Sequence, residues 1–102
     1  MFQELKRQLK YLRYYLKHGV HPYTVWNLDN YIVKYALPRI KLLREHTHCS
    51  PPYITYEEWL TVLNDIIWSF ENYEEMLSDK EDILRKRKGE ELFGKYWTML
   101  WD

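Results

Sequence analysis

Histidine and cysteine side chains gather in two places along this chain, and imidazole and thiolate are the usual ligands of a bound transition metal. His18 and His21 flank Gly19, while His46, His48 and Cys49 crowd a proline-containing stretch. Neither group has the ligand spacing of an established zinc site, so no metal is expected. Carboxylates capable of acid–base work occur as adjacent pairs, Glu57/Glu58 and Glu74/Glu75, which a helix points in different directions. No Gly-rich phosphate loop or nucleophile motif is recognisable, and no cofactor is implied. The expectation is a protein without catalysis.

Other residues have the chemistry of recognition. At roughly 100° per residue, Trp68 projects about 180° from Trp59, among Asn64, Glu71, Asn72 and Glu75. A large aromatic in such company is usually covered by another subunit or by a ligand. Arg39 projects among Leu28, Ile32, Tyr35 and Leu43, and Asp29 falls near Ala36 and Ile40. Ten residues place these two charges about 15 Å apart along one helix, too far to pair within it. Buried charges need partners, and a structural salt bridge or a ligand would each supply one. Lys6, Lys10, Arg13 and Lys17 form a basic strip near Tyr11, Tyr14 and Tyr15, and Arg85–Lys88 is a second basic cluster. Such strips can hold phosphates beside stacking rings, or simply be solvated helix faces.

Four helical patterns position these groups. The first runs from Phe2 to His18, with Phe2, Leu5, Leu9, Leu12 and Leu16 in the three–four alternation of a helix packing on another helix. Gly19 suits its C-cap, and Pro22 blocks continuation. The second spans Asn27 to Glu45 and contains Pro38, where a kink is expected because proline lacks an N–H and crowds the preceding turn. The stretch Thr47–Ile54 contains Pro51-Pro52 and reads as a linker. Thr55 and Glu58 match a capping box, with Ile54 and Trp59 as its hydrophobic staple. The third helix then runs from Tyr56 to Leu77 through Trp59, Leu63, Ile66, Phe70 and Tyr73. Ser78 and Glu81 match a second capping box, and the last helix runs from Asp79 to Leu100. Gly89 lies in its apolar sector, where it permits close helix approach or weakens the helix. The expected fold is all-α: one domain over residues 1–102, four helices with the second kinked at Pro38, assembled as a homo-oligomer.

Size and charge narrow the function further. A chain of 102 residues suits one modest core. Aromatics reach 18%, with ten Tyr and five Trp, residues favoured both in interfaces and in small cores. Residues 1–48 hold nine Lys/Arg against three Asp/Glu, and residues 56–82 hold one against nine. That asymmetry suggests antiparallel packing of opposite charges, or oligomers pairing them. Overall neutrality argues against general nucleic-acid binding. A lone cysteine suits a reducing cytosol, and no run of about 18 apolar residues exists to span a membrane.

Three stretches are familiar together: Trp26-Asn27-Leu28-Asp29 through Leu37-Pro38-Arg39-Ile40-Lys41; Glu58-Trp59 through Ile66-Ile67-Trp68-Ser69-Phe70-Glu71; and Gly89-Glu90-Glu91-Leu92-Phe93-Gly94-Lys95-Tyr96 through Leu100-Trp101-Asp102. In this order they resemble a family of short, uncharacterised proteins of tailed bacteriophages, and the resemblance covers most of the chain after Tyr23. It implies an anti-defence role in the cytoplasm of the infected bacterial host. One class of such proteins acts as a sponge, sequestering nucleotide-derived immune signals such as cyclic nucleotides or ADP-ribose derivatives. The positions carrying the resemblance include Trp26, Asp29, Arg39, Trp68, Lys95, Tyr96 and Trp101. That set has rings to stack a base, cations for phosphate and a carboxylate for ribose or base. The leading expectation is therefore nucleotide sequestration without catalysis. The alternative is an interaction module that binds and inhibits a host protein through Trp68 and the acidic third helix. A hydrolase of the same signals is a third reading.

Overall fold

The structure, a computed structural model, describes residues 2–101. Asp102, the end of the third quoted stretch, lies outside the described residues. The fold is all-helical, 76% helix, with five helices of which four are long, and no strand among the described residues. They are α1 (Phe2–His18), α2 (Pro22–Trp26), α3 (Leu28–His46), α4 (Tyr56–Glu71) and α5 (Lys80–Lys95), followed by a 3-10 turn at Trp97–Met99. The chain divides into two compact units, Met1–Ile32 and Val33–Asp102.

In the first unit α1 has the limits its leucine spacing implies. Gly19 ends it with φ +78°, the left-handed conformation of a C-terminal cap, and its N–H bonds the Tyr15 carbonyl at 2.7 Å. Pro22, read from sequence as a stop, instead opens the short helix α2. Proline suits a first helical position because its missing N–H has no partner there anyway. His21 is the N-cap, its Nδ1 accepting from the Tyr23 N–H at 3.2 Å. Asn27 closes α2, and its carbonyl accepts from Tyr31 at 3.1 Å as α3 begins.

The second unit contains the hydrophobic core. Val33 and Ile40 of α3 join Trp59, Leu63, Ile66 and Phe70 of α4, the spacing that marks α4 as amphipathic. Leu92, Phe93, Tyr96 and Leu100 pack against this cluster from the C-terminal side. Gly89 is buried where α4 and α5 approach closely. A Cβ there would lie 2.3 Å from the Ser69 Cβ and 2.6 Å from the Asp65 carbonyl oxygen. Ser69 Oγ uses the proximity to donate to the Lys86 carbonyl at 2.6 Å. The polar contacts of α3 run antiparallel to α4 and the turn after it: Lys34 meets Glu74, just past the end of α4, at 3.7 Å, Lys41 meets Glu71 at 3.1 Å, and Arg44 Nε donates to the Asn64 side-chain oxygen at 2.6 Å. Both ion pairs are exposed and contribute little stability each, but they agree in direction.

Several helix ends differ from the sequence reading. Thr55 caps α4 as expected, accepting from the Glu58 N–H at 3.0 Å. The helix stops at Glu71 rather than Leu77, because the Asn72 side chain and backbone N–H both take the Trp68 carbonyl, at 2.9 and 3.1 Å. An asparagine competing for a helix carbonyl favours termination. Asp79, not Ser78, caps α5, accepting from the Glu81 N–H at 2.8 Å. Pro38 lies inside α3, which continues to His46.

Candidate functional site

Trp68 lies on the face of α4 opposite Trp59, as its spacing requires, but it is only partly exposed. The Arg85 guanidinium of α5 lies over its indole, 4.2 Å from the ring centroid. The expectation that another subunit or a ligand covers this ring is therefore corrected in part: the chain supplies cover itself. Stacking a delocalised cation on an indole satisfies both groups at a solvent boundary.

The rest of the second basic cluster is also engaged. Lys86 Nζ donates to the Tyr73 carbonyl at 2.9 Å and lies 4.7 Å from the Tyr73 ring centroid. Lys88 pairs with the mostly buried Asp65 at 3.7 Å. Arg87, with Lys86, lines a polar cavity of about 340 Å³ that also holds Glu75 and Glu90. Two carboxylates in the same hollow disfavour a phosphate there.

Arg39 and Asp29 are not buried charges, which corrects the second expectation. Both are exposed, because the face of α3 that Arg39 shares carries Leu28, Ile32 and Tyr35, all themselves exposed. Arg39 folds back along its own helix, its Nη1 donating to the Tyr35 carbonyl at 2.8 Å and its guanidinium 3.7 Å above the Tyr35 ring. Asp29 occupies the first turn of α3, where a carboxylate is favoured by the helix dipole.

The last three residues of the expected set lie at the C-terminal side of the second unit. Tyr96 meets Trp59 edge-on at 5.6 Å and packs, partly buried, against the core, and Lys95 Nζ sits 5.3 Å from the Tyr96 ring centroid. Trp101 is 72% exposed and lines a cleft of about 190 Å³. The cleft is floored by Trp59 and walled by Met99, Pro51 and Pro52, with Cys49 and Ser50 at the linker side. The linker holds its shape through Tyr56 Oη donating to the Thr47 carbonyl and Ser50 Oγ donating to the Ile54 carbonyl, at 3.0 and 3.1 Å. Tyr53 turns the chain with φ +75°.

Trp26 belongs to the first unit, in an aromatic cluster that the sequence does not announce. Tyr11 of α1 meets His21, Tyr23 and Trp26 at 5.0, 5.2 and 6.5 Å, and its hydroxyl donates to that of Tyr23 at 3.0 Å. That donated bond, with burial second, holds the Tyr11 phenol above its ordinary range. His21 Nδ1 is already an acceptor at the α2 cap. Among the described residues, no three or more His, Cys, Asp or Glu side chains gather as a metal site would need. Pro22, which suits a first helical position as well as a stop, is the residue that could have placed Tyr23 and Trp26 on a helix of their own. Comparison with protein-family models, curated proteins and solved structures gives no match for this chain.

Proposed function

We propose that the chain is a non-enzymatic interaction module that seats an apolar side chain of a partner protein in the cleft between the linker and the C-terminal turn. The size and lining of that cleft support the reading: about 190 Å³ bounded by Trp59, Met99, Trp101, Pro51 and Pro52. A nucleotide needs a pocket of about 300 Å³ or more with convergent polar groups. The cleft suits one leucine or one ring, the kind of anchor that dominates protein interfaces. Partner binding would also cover the exposed Trp101. The resemblance to short tailed-phage proteins supplies the setting, in which the partner is a host protein bound and inhibited in the bacterial cytoplasm. In this reading the chain works as a homo-oligomer. Its α3 bends at Pro38, where proline cannot donate to the Lys34 carbonyl. The test is capture from host lysate with the wild-type chain and with Trp101→Ala. A stoichiometric protein retained by the first and lost by the second supports the reading; equal retention by both removes the cleft from it.

Sequestration of a nucleotide-derived immune signal is the second reading, favoured by Arg85 stacked on the partly exposed Trp68. A base could replace the guanidinium on the indole and free Arg85 for phosphate; of the other expected residues Arg39, Lys95, Tyr96 and Trp101 belong to the same unit as Trp68, and Trp26 and Asp29 belong to the first unit. Calorimetry with cyclic dinucleotides and ADP-ribose derivatives tests it, and absence of heat with all of them counts against it.

A further inference from the structure

The first unit lacks a core of its own. Among its described residues Pro22 is the single buried side chain, and α1 buries none of its 17 residues. Chains shorter than about 40 residues seldom hold a fold without a disulfide, a metal or an oligomeric partner. Cys49 lies outside this unit, and no metal-ligand cluster occurs among the described residues. An isolated helix of this length is marginal in water.

The exposed face of α1 has the pattern of a specific partner. Phe2, Leu5, Leu9, Leu12 and Leu16 alternate at three and four residues, and they are 79%, 58%, 48%, 52% and 73% exposed. Strict alternation makes a narrow seam that fits another helix of the same kind, unlike the broad stripe of a helix lying on a globular core. The matching seam on α4, from Trp59 to Phe70, is already buried. The area fits as well. With one Phe and four Leu side chains exposed to this extent, the α1 strip is on the order of 500–600 Å², the size of the largest apolar patch on a lone protein. Two strips face to face approach the ~1,200 Å² at which stable interfaces begin.

We infer that α1 pairs with α1 of a second copy of this chain, in parallel and in register, along that seam. This rests on the reading of the protein as a homo-oligomer and names the surface that makes it one. Charge sets the direction. In an antiparallel pair Lys6 would face Arg13 of the second copy, a like-charge contact made twice. In a parallel pair Arg13 faces Gln8 of the second copy, and no like charges meet across the seam.

Sedimentation equilibrium of the full chain tests the pairing, with a second measurement for direction. The wild type is expected at twice 12.8 kDa. Leu9→Asp should weaken association about 100-fold or more, while Lys10→Glu, on the outer face, should leave it intact. Near-UV circular dichroism from Trp59 and Tyr96 should be unchanged in Leu9→Asp, showing that the second unit is still folded. For direction, Phe2→Cys in a Cys49→Ser background should oxidise to a covalent dimer. In an antiparallel pair the two introduced thiols would lie about 21 Å apart, beyond disulfide reach. A monomer at all concentrations overturns the inference and the oligomer reading together. A dimer that survives Leu9→Asp overturns the α1 interface alone, and a seam-dependent dimer without the Phe2→Cys crosslink overturns the parallel arrangement.

Discussion

Replacing Gly89 by alanine probes the α4–α5 contact on which the second unit is built. The new methyl would stand 2.3 Å from the Ser69 Cβ, 2.6 Å from the Asp65 carbonyl oxygen and 2.9 Å from Ser69 Oγ. Carbon atoms in contact rest at about 3.5–4.0 Å, so the helices must separate locally by more than ~1 Å. Overpacking of this kind costs about 1–3 kcal/mol. Separation also strains the Ser69–Lys86 hydrogen bond, with a net value of about 1 kcal/mol. Alanine's better helix propensity offsets about 1 kcal/mol. The net expectation is a loss of about 2 kcal/mol, which in a domain of this size lowers the melting temperature by on the order of 10 °C. Gly94→Ala is the internal control, because nothing lies within 4 Å of its Cβ position. It should stabilise by about 0.5–1 kcal/mol through propensity alone. Thermal and urea unfolding followed at 222 nm and by tryptophan fluorescence measure both. A Gly89→Ala protein as stable as wild type would refute the close approach.

Four further outcomes follow from single contacts. Thr55→Ala removes the α4 N-cap and should destabilise by about 1 kcal/mol in urea unfolding, with Thr55→Ser near wild type. Tyr53→Asn relieves a left-handed backbone position and should raise stability by about 0.5–1 kcal/mol in the same assay. Arg85→Ala uncovers the Trp68 indole, and fluorine NMR of fluorotryptophan-labelled protein should then show one ring becoming accessible to a paramagnetic quencher. The raised Tyr11 phenol gives an alkaline signature. Its hydrogen bond contributes stability that is fully present below the ordinary tyrosine value of 10.0 and is lost as pH rises through the higher folded value. Ultraviolet titration should show one late-ionising tyrosine, shifted earlier by Tyr23→Phe.

Local signals in the sequence carry the elements that have strong local causes. The alternation from Phe2 to Leu16 and the glycine after His18 set both ends of α1, and Thr55 with Glu58 sets the start of α4. Where two local rules compete, the sequence misleads. Pro22 follows a glycine cap and reads as a stop, yet proline is also a good first helical residue, and α2 begins there. Asn72 continues the polar face of a helix in projection, but its side chain captures the Trp68 carbonyl and ends α4.

The candidate site is less legible because its parts meet through packing. Arg85 reaches Trp68 only because Gly89 and Ser69 bring α5 close to α4, a pairing no periodicity reveals. Arg39 looks buried in projection because Leu28, Ile32 and Tyr35 surround it, but an apolar sector is a costly place for charge only when something covers it. Trp101 is legible as an aromatic without a helical role. The cleft it borders requires Pro51 and Pro52, half the chain away.

Native mass spectrometry of the protein recovered from cells that express it tests the functional account most directly. An interaction module should appear as copies of the 12.8 kDa chain carrying a second protein in fixed ratio, with that mass lost from Trp101→Ala. A nucleotide-sized adduct on the chain, with no protein partner and unchanged in Trp101→Ala, would contradict it.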